Sequence, residues 1–159
     1  MLADFEIVGD TVVIAPRRAS NHAWATFNVS SFSYRFNVVV AGISDLIGAT
    51  HFQEVAFVFS NVDGLGYAES PFLDEPDSFF TLATQMSRSW VGFVTELDPN
   101  RNGLDDVNEW PEYLLEGGVG MNFVWTAMGN GNESFAEVDD FRAEGMAFIS
   151  ANAKSQFGR

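Results

Sequence analysis

The sequence predicts an α/β fold with an incomplete sheet, mostly helices and loops with one or two strands. Three observations carry that expectation. Phe32, Tyr34, Phe36 and Val38 alternate with Ser33, Arg35 and Asn37, the period-two signature of a strand with one apolar face. Phe79, Leu82, Met86, Trp90, Phe93 and Leu97 step by three or four, the spacing of a helix that buries one stripe. A further helical stretch, about residues 140–153, carries Phe141, Phe148 and Ile149, with Gly145 allowing close approach to a neighbour.

Taken in order, residues 10–25 carry mixed signals. Thr11-Val12-Val13-Ile14 is β-branched and suits a strand, Ala19 to Trp24 suits a helix, and Pro16 lies between them. Helix is the favoured assignment, with Asp10 as its N-cap and Pro16 either starting it or kinking it. The strand at 32–38 follows, then a loop from Gly42 to Thr50 that delivers His51 just beyond the strand. Asp77 stands where it would cap the helix Ser78–Leu97. Residues 96–116 are acidic and turn-rich, interrupted by Trp110-Pro111-Glu112-Tyr113. Because one strand leaves backbone groups unpaired on both edges, the missing neighbours belong to a longer chain or to a partner. Residues 1–159 therefore read as a single partial domain.

Composition narrows the function classes. The chain is 47% hydrophobic with 16 Phe and 4 Trp, which excludes a disordered tail. Its 22 acids against 8 bases give a formal net charge of −14, which repels phosphate backbones and anionic lipid. Nucleic acid is not an expected partner. No transmembrane segment and no signal peptide is found, and the oligomeric state is not legible. With no cysteine in the chain, disulfides, zinc thiolate sites and cysteine nucleophiles drop out together.

One segment stands out: Gly48-Ala49-Thr50-His51, a histidine after a small-residue turn, followed by an apolar stretch to Phe59. It belongs to a series. Gly9-Asp10 leading to Ala15-Pro16-Arg17-Arg18 comes first, then Tyr34-Arg35-Phe36, then residues 48–59. Gln85-Met86-Ser87-Arg88-Ser89-Trp90, Asp98-Pro99-Asn100, Trp110-Pro111 and Phe141-Arg142-Ala143-Glu144 complete it. In this order the segments resemble the C-terminal part of the type-B carboxylesterases, the family that includes cholinesterases and many microbial lipases. The resemblance implies part of an α/β-hydrolase fold, with the triad in the chain order Ser, acidic residue, His. It implies carboxylic ester hydrolysis, a small-molecule or lipid ester as substrate of the full-length parent, and no cofactor or metal. Whether the parent is secreted it leaves open.

Within that resemblance His51 matches the triad histidine, the general base that takes the serine proton and later returns one to the leaving alcohol. The family commonly has His-Gly here; this chain has His51-Phe52, which puts the loop geometry in question. The family's Cys-Pro appears as Ala15-Pro16. No Gly-x-Ser-x-Gly occurs in the 159 residues, and no glycine run after a histidine could form the oxyanion loop. The chain alone is therefore expected to be inactive, a C-terminal fragment carrying the base without its nucleophile. Glu54 is close enough in sequence to support His51 or simply to be solvated. His22 reads as an ordinary surface residue.

A reading from another class competes. Asp98, Asn100, Asn102, Asp106 and Glu109, with Gly103 at the sharp turn, follow the pattern of an EF-hand calcium loop. A small acidic calcium-binding or interaction module using loop 98–109 is thus the alternative. Against it, Asp105 stands at a usually apolar place and Pro111 hinders an exiting helix.

Overall fold

The structure is a computed structural model and describes residues 7–127 and 133–156. The described residues divide into two compact units, one of residues 34–110, 123–127 and 133–136, the other of residues 7–33, 111–122 and 137–156. Three strands form one sheet: β1 (Tyr34–Phe36), β2 (Met121–Trp125) and β3 (Phe135–Val138), in that order. Three replaces the one or two expected. β2 escaped the sequence reading because Phe123, Val124 and Trp125 are all fully buried, so the strand shows no alternation. β1 is also shorter than the alternating stretch 32–38, and it pairs in parallel with β2, Tyr34 opposite Phe123 and Phe36 opposite Trp125.

The first unit is built on α3 (Asp77–Glu96), which packs against the short α2 (Glu54–Val58). Phe79, Leu82 and Met86 of the predicted stripe are buried, whereas Phe93 and Leu97 are 41% and 74% exposed, so the stripe covers only the first turns. Asp77 is not the cap. Pro76 holds that position with extended backbone, and Asp77 sits in the first turn, where its charge favours the helix dipole. Leu97 closes the helix in the left-handed region at φ 60°, donating its N–H to Phe93 O.

Aromatic rings fill this unit. Trp110, 5% exposed, lies 5.2 Å from Trp90, 5.5 Å from Trp125, 5.8 Å from Phe123 and 5.8 Å from Tyr34, between ring centroids. Its backbone is clamped by Asn100, whose Nδ2 donates to Trp110 O at 2.9 Å while its Oδ1 accepts the Trp110 N–H at 2.8 Å. Burial, then the charge of Glu54, pushes the Tyr34 phenol up to about 12.

In the second unit, residues 10–25 are helical as favoured, but in two registers. Asp10–Ile14 is a π turn and α1 (Ala15–Thr26) follows. Pro16 has no N–H to give four residues back, and its ring crowds that carbonyl. The turn widens ahead of it, and Ala15 N–H donates to Asp10 O, five residues back. Asp10 is therefore no cap; its carboxylate takes a 2.8 Å salt bridge from Arg142. α1 packs on α4 (Ala143–Gln156).

The tie that organises this unit is ionic and buried. Arg17 forks onto Asp139 with contacts of 3.0 and 2.7 Å, and Arg18 adds a third at 2.8 Å. The Tyr113 hydroxyl donates to the other carboxylate oxygen at 2.8 Å. Arg17 also reaches Ser33, which donates to Asn122 Oδ1 at 2.9 Å. Burial alone would raise the Asp139 carboxyl, but hydrogen bonds and charge from Arg17 and Arg18, with the Tyr113 bond, outweigh it and hold the group at about 2. His22 corrects the surface expectation: it is half-buried, its ring 5.9 Å from that of Tyr113. Gly120 faces the same ring, where an added Cβ would overlap it.

α4 departs from its sequence reading as well. Met146 is the residue it buries, whereas Phe141 and Phe148 are 54% and 67% exposed. Nothing lies within 4 Å of a Cβ built on Gly145, so no close approach requires the glycine. Gly145→Ala should therefore raise stability by about 0.5 to 1 kcal/mol through helix propensity alone. Urea denaturation of the two chains checks this, and a loss of stability would show that the glycine has a steric role.

Candidate functional site

Phe57 anchors the segment that carries His51. Its ring is fully buried, 5.1 Å from Phe36, 4.6 Å from Phe72 and 5.9 Å from Phe79, so α2 is pinned from below by the apolar stretch that follows the histidine. Ahead of it the loop turns at Gly48, whose φ of 75° only glycine adopts at no cost. His51 comes out in the turn just before Glu54, exposed to solvent. Its side chain makes no hydrogen bond among the described residues. The nearest ring contact is Phe52, edge-on at 6.4 Å between centroids.

Phe52 answers the question its identity raised. Its φ is 78°, in the left-handed region that favours glycine, so a phenylalanine occupies a backbone conformation that glycine adopts more readily. Such a placement costs on the order of 1 kcal/mol or more. It persists because α2 begins two residues later and because Phe52 meets Tyr67 at 6.3 Å. Replacement should therefore follow backbone freedom and not apolarity. Phe52→Gly is expected to change stability by less than about 1 kcal/mol, whereas Phe52→Val, β-branched and averse to positive φ, should cost more than about 1.5 kcal/mol. Equal costs in thermal denaturation would remove the strain argument.

Glu54 serves another neighbourhood. Its charge, second to burial, raises the phenols of Tyr34 and Tyr67, and it makes no hydrogen bond to His51 among the described residues. No carboxylate therefore orients the imidazole within the described part of this chain. Sequence reasoning singled out His51 and questioned the loop geometry at Phe52, but did not identify Phe52 as a residue at positive φ. The signal was present, since a glycine slot occupied by another residue asks for this backbone.

In the rival loop Asp98, Asn100 and Asn102 are half-buried, while Asp105, Asp106 and Glu109 are exposed. Asp98 Oδ1 accepts the Asn100 N–H at 2.9 Å and Asn102 Oδ1 accepts the Leu104 N–H at 2.9 Å. The Asn100 carboxamide is spent on Trp110 at both ends. No group of three or more His, Cys, Asp or Glu among the described residues is disposed to hold a metal ion. Likewise, no helix among them is long and apolar enough to cross a membrane.

No protein-family model matches the sequence. Phenmedipham hydrolase of Pseudarthrobacter oxydans is 30% identical over 86 residues, 53% of this chain and 16% of that protein. A carboxylesterase of Geobacillus stearothermophilus, EST55, superposes with a TM-score of 0.60 at 28% identity, over 79% of this chain and 23% of that one. A PNB esterase shares the fold, with a TM-score of 0.53 at 22% identity, over 74% of this chain and 21% of that one. This chain thus spans less than a quarter of the length of each. Sequence and fold agree on one resemblance: the chain is carboxylesterase-like, similar to one portion of an α/β-hydrolase.

Proposed function

We propose that residues 1–159 are one part of a single ester-hydrolase domain, supplying the general base of a serine carboxylesterase through His51. In this reading the imidazole takes the proton from a serine hydroxyl as it attacks the ester carbonyl, then protonates the departing alcohol. The serine, the orienting carboxylate and the oxyanion donors come from polypeptide outside this sequence. The observation that carries the reading is the setting of His51: solvent-facing, hydrogen-bonded to nothing among the described residues, and fixed by the buried Phe57 that follows it.

The chain alone is then expected to hydrolyse a short-chain nitrophenyl ester no faster than buffer, since a base without nucleophile or oxyanion hole has little to act on. Turnover by the isolated chain that disappears in His51→Ala would overturn this. Mixed with the serine-bearing remainder of a related carboxylesterase, the chain should restore turnover, and His51→Ala should lower that rate by about a thousandfold or more. Restored turnover indifferent to position 51 would reject His51 as the base.

A further inference from the structure

Phe52 holds a costly backbone conformation and buries little in return. At its φ of 78° an L side chain crowds the following carbonyl, yet 55% of the residue stays in solvent. Leu97, the other large apolar residue at positive φ among the described residues, closes α3 with a backbone hydrogen bond. Phe52 precedes α2 and closes no helix. Strain that packing does not offset points to a use for the side chain.

The place of the ring says which use. It stands edge-on to the imidazole of His51 at 6.4 Å and beside the ring of Tyr67 at 6.3 Å, between centroids, and His51 is itself exposed. In the proposed reaction the imidazole returns its proton to the departing alcohol, whose oxygen then lies within about 3 Å of a ring nitrogen. The carbon skeleton on that oxygen is thereby brought beside Phe52, at a range where aromatic rings attract one another, about 4.5 to 7 Å between centroids. The acyl group is instead tethered to the serine, which this sequence does not supply. A glycine after the histidine would offer no such surface.

We infer that Phe52 is a specificity-determining residue that contacts the alcohol portion of the ester and favours an aromatic alcohol over a short alkyl one. This rests on the reading of His51 as the general base. An aromatic alcohol covers the exposed ring and gains an aromatic pair with it; an ethyl group is too small for either.

The test mixes the full 159-residue chain with the serine-bearing remainder of a related carboxylesterase and compares benzyl with ethyl acetate, two esters whose alcohols leave with similar ease. The ratio of kcat/KM for benzyl over ethyl should fall about three- to tenfold in Phe52→Gly and stay near the parent value in Phe52→Tyr. A loss shared equally by both esters would show a merely structural role for the ring and overturn the proposal. His51→Ala separates the two readings: turnover that ignores it rejects His51 as the base, whereas turnover that depends on it, with the ratio unchanged in Phe52→Gly, overturns only the contact. On the chain alone, benzyl alcohol should shift the NMR ring resonances of His51 and Phe52 together, ethanol at the same concentration should move neither, and Phe52→Gly should abolish the His51 shift. Phe52 resonances that benzyl alcohol leaves fixed overturn the contact. Shifts in the chain alone beside a mixture that hydrolyses nothing support the contact and reject the catalytic reading.

Discussion

Trp110→Ala should destabilise the chain by about 3 to 5 kcal/mol, the range for deleting a large aromatic from a packed interior. Four rings lose their common neighbour at once, and the Asn100 clamp is left holding a backbone with nothing to seat it. Trp110→Phe, which keeps the face toward Phe123, should recover more than half of that loss. Denaturant unfolding followed by tryptophan fluorescence and by circular dichroism measures both. A cost below about 1 kcal/mol for the alanine variant would mean that the aromatic cluster is loosely packed.

Asp139→Asn should do comparable damage by another route. It removes the counter-charge of Arg17 and Arg18 and leaves two guanidinium groups facing a neutral amide in a buried setting, a loss of about 3 to 5 kcal/mol. The sign of the pH dependence follows from the depressed carboxyl. Its folded value of about 2 lies below the ordinary 3.8, so its stabilisation is complete above pH 4 and disappears as pH falls through about 2. The contribution corresponds to about 2 kcal/mol. Stability measured between pH 5 and 2 should fall in the parent chain and flatten in Asp139→Asn; parallel curves would show that the ion pair contributes nothing through protonation.

Local chemistry was legible where it announced itself. Helical spacing located α3 to within a residue or two, and alternation located β1, because each depends on neighbours three, four or two residues away. The Ala15-Pro16-Arg17-Arg18 segment was visible as part of a resemblance, and the turn at Gly48 and the burial of Phe57 around His51 were foreshadowed by a small-residue run followed by an apolar stretch. What stayed hidden depends on distant residues. β2 reads as a plain apolar run until its two faces are known to be covered. Asp139 reads as one acid among 22 until Arg17 and Arg18 arrive beside it. Asn100 matched a calcium pattern because a carboxamide that clamps a backbone and one that ligates an ion are the same residue in a sequence.

The ion pair between α1 and Asp139 joins residues 122 positions apart. During synthesis at about 5 to 20 residues per second, the arginines emerge on the order of ten seconds before their acid exists. Throughout that interval two cations ride on a nascent helix whose burial would be costly, so the late arrival of one carboxylate sets the moment at which this unit can close.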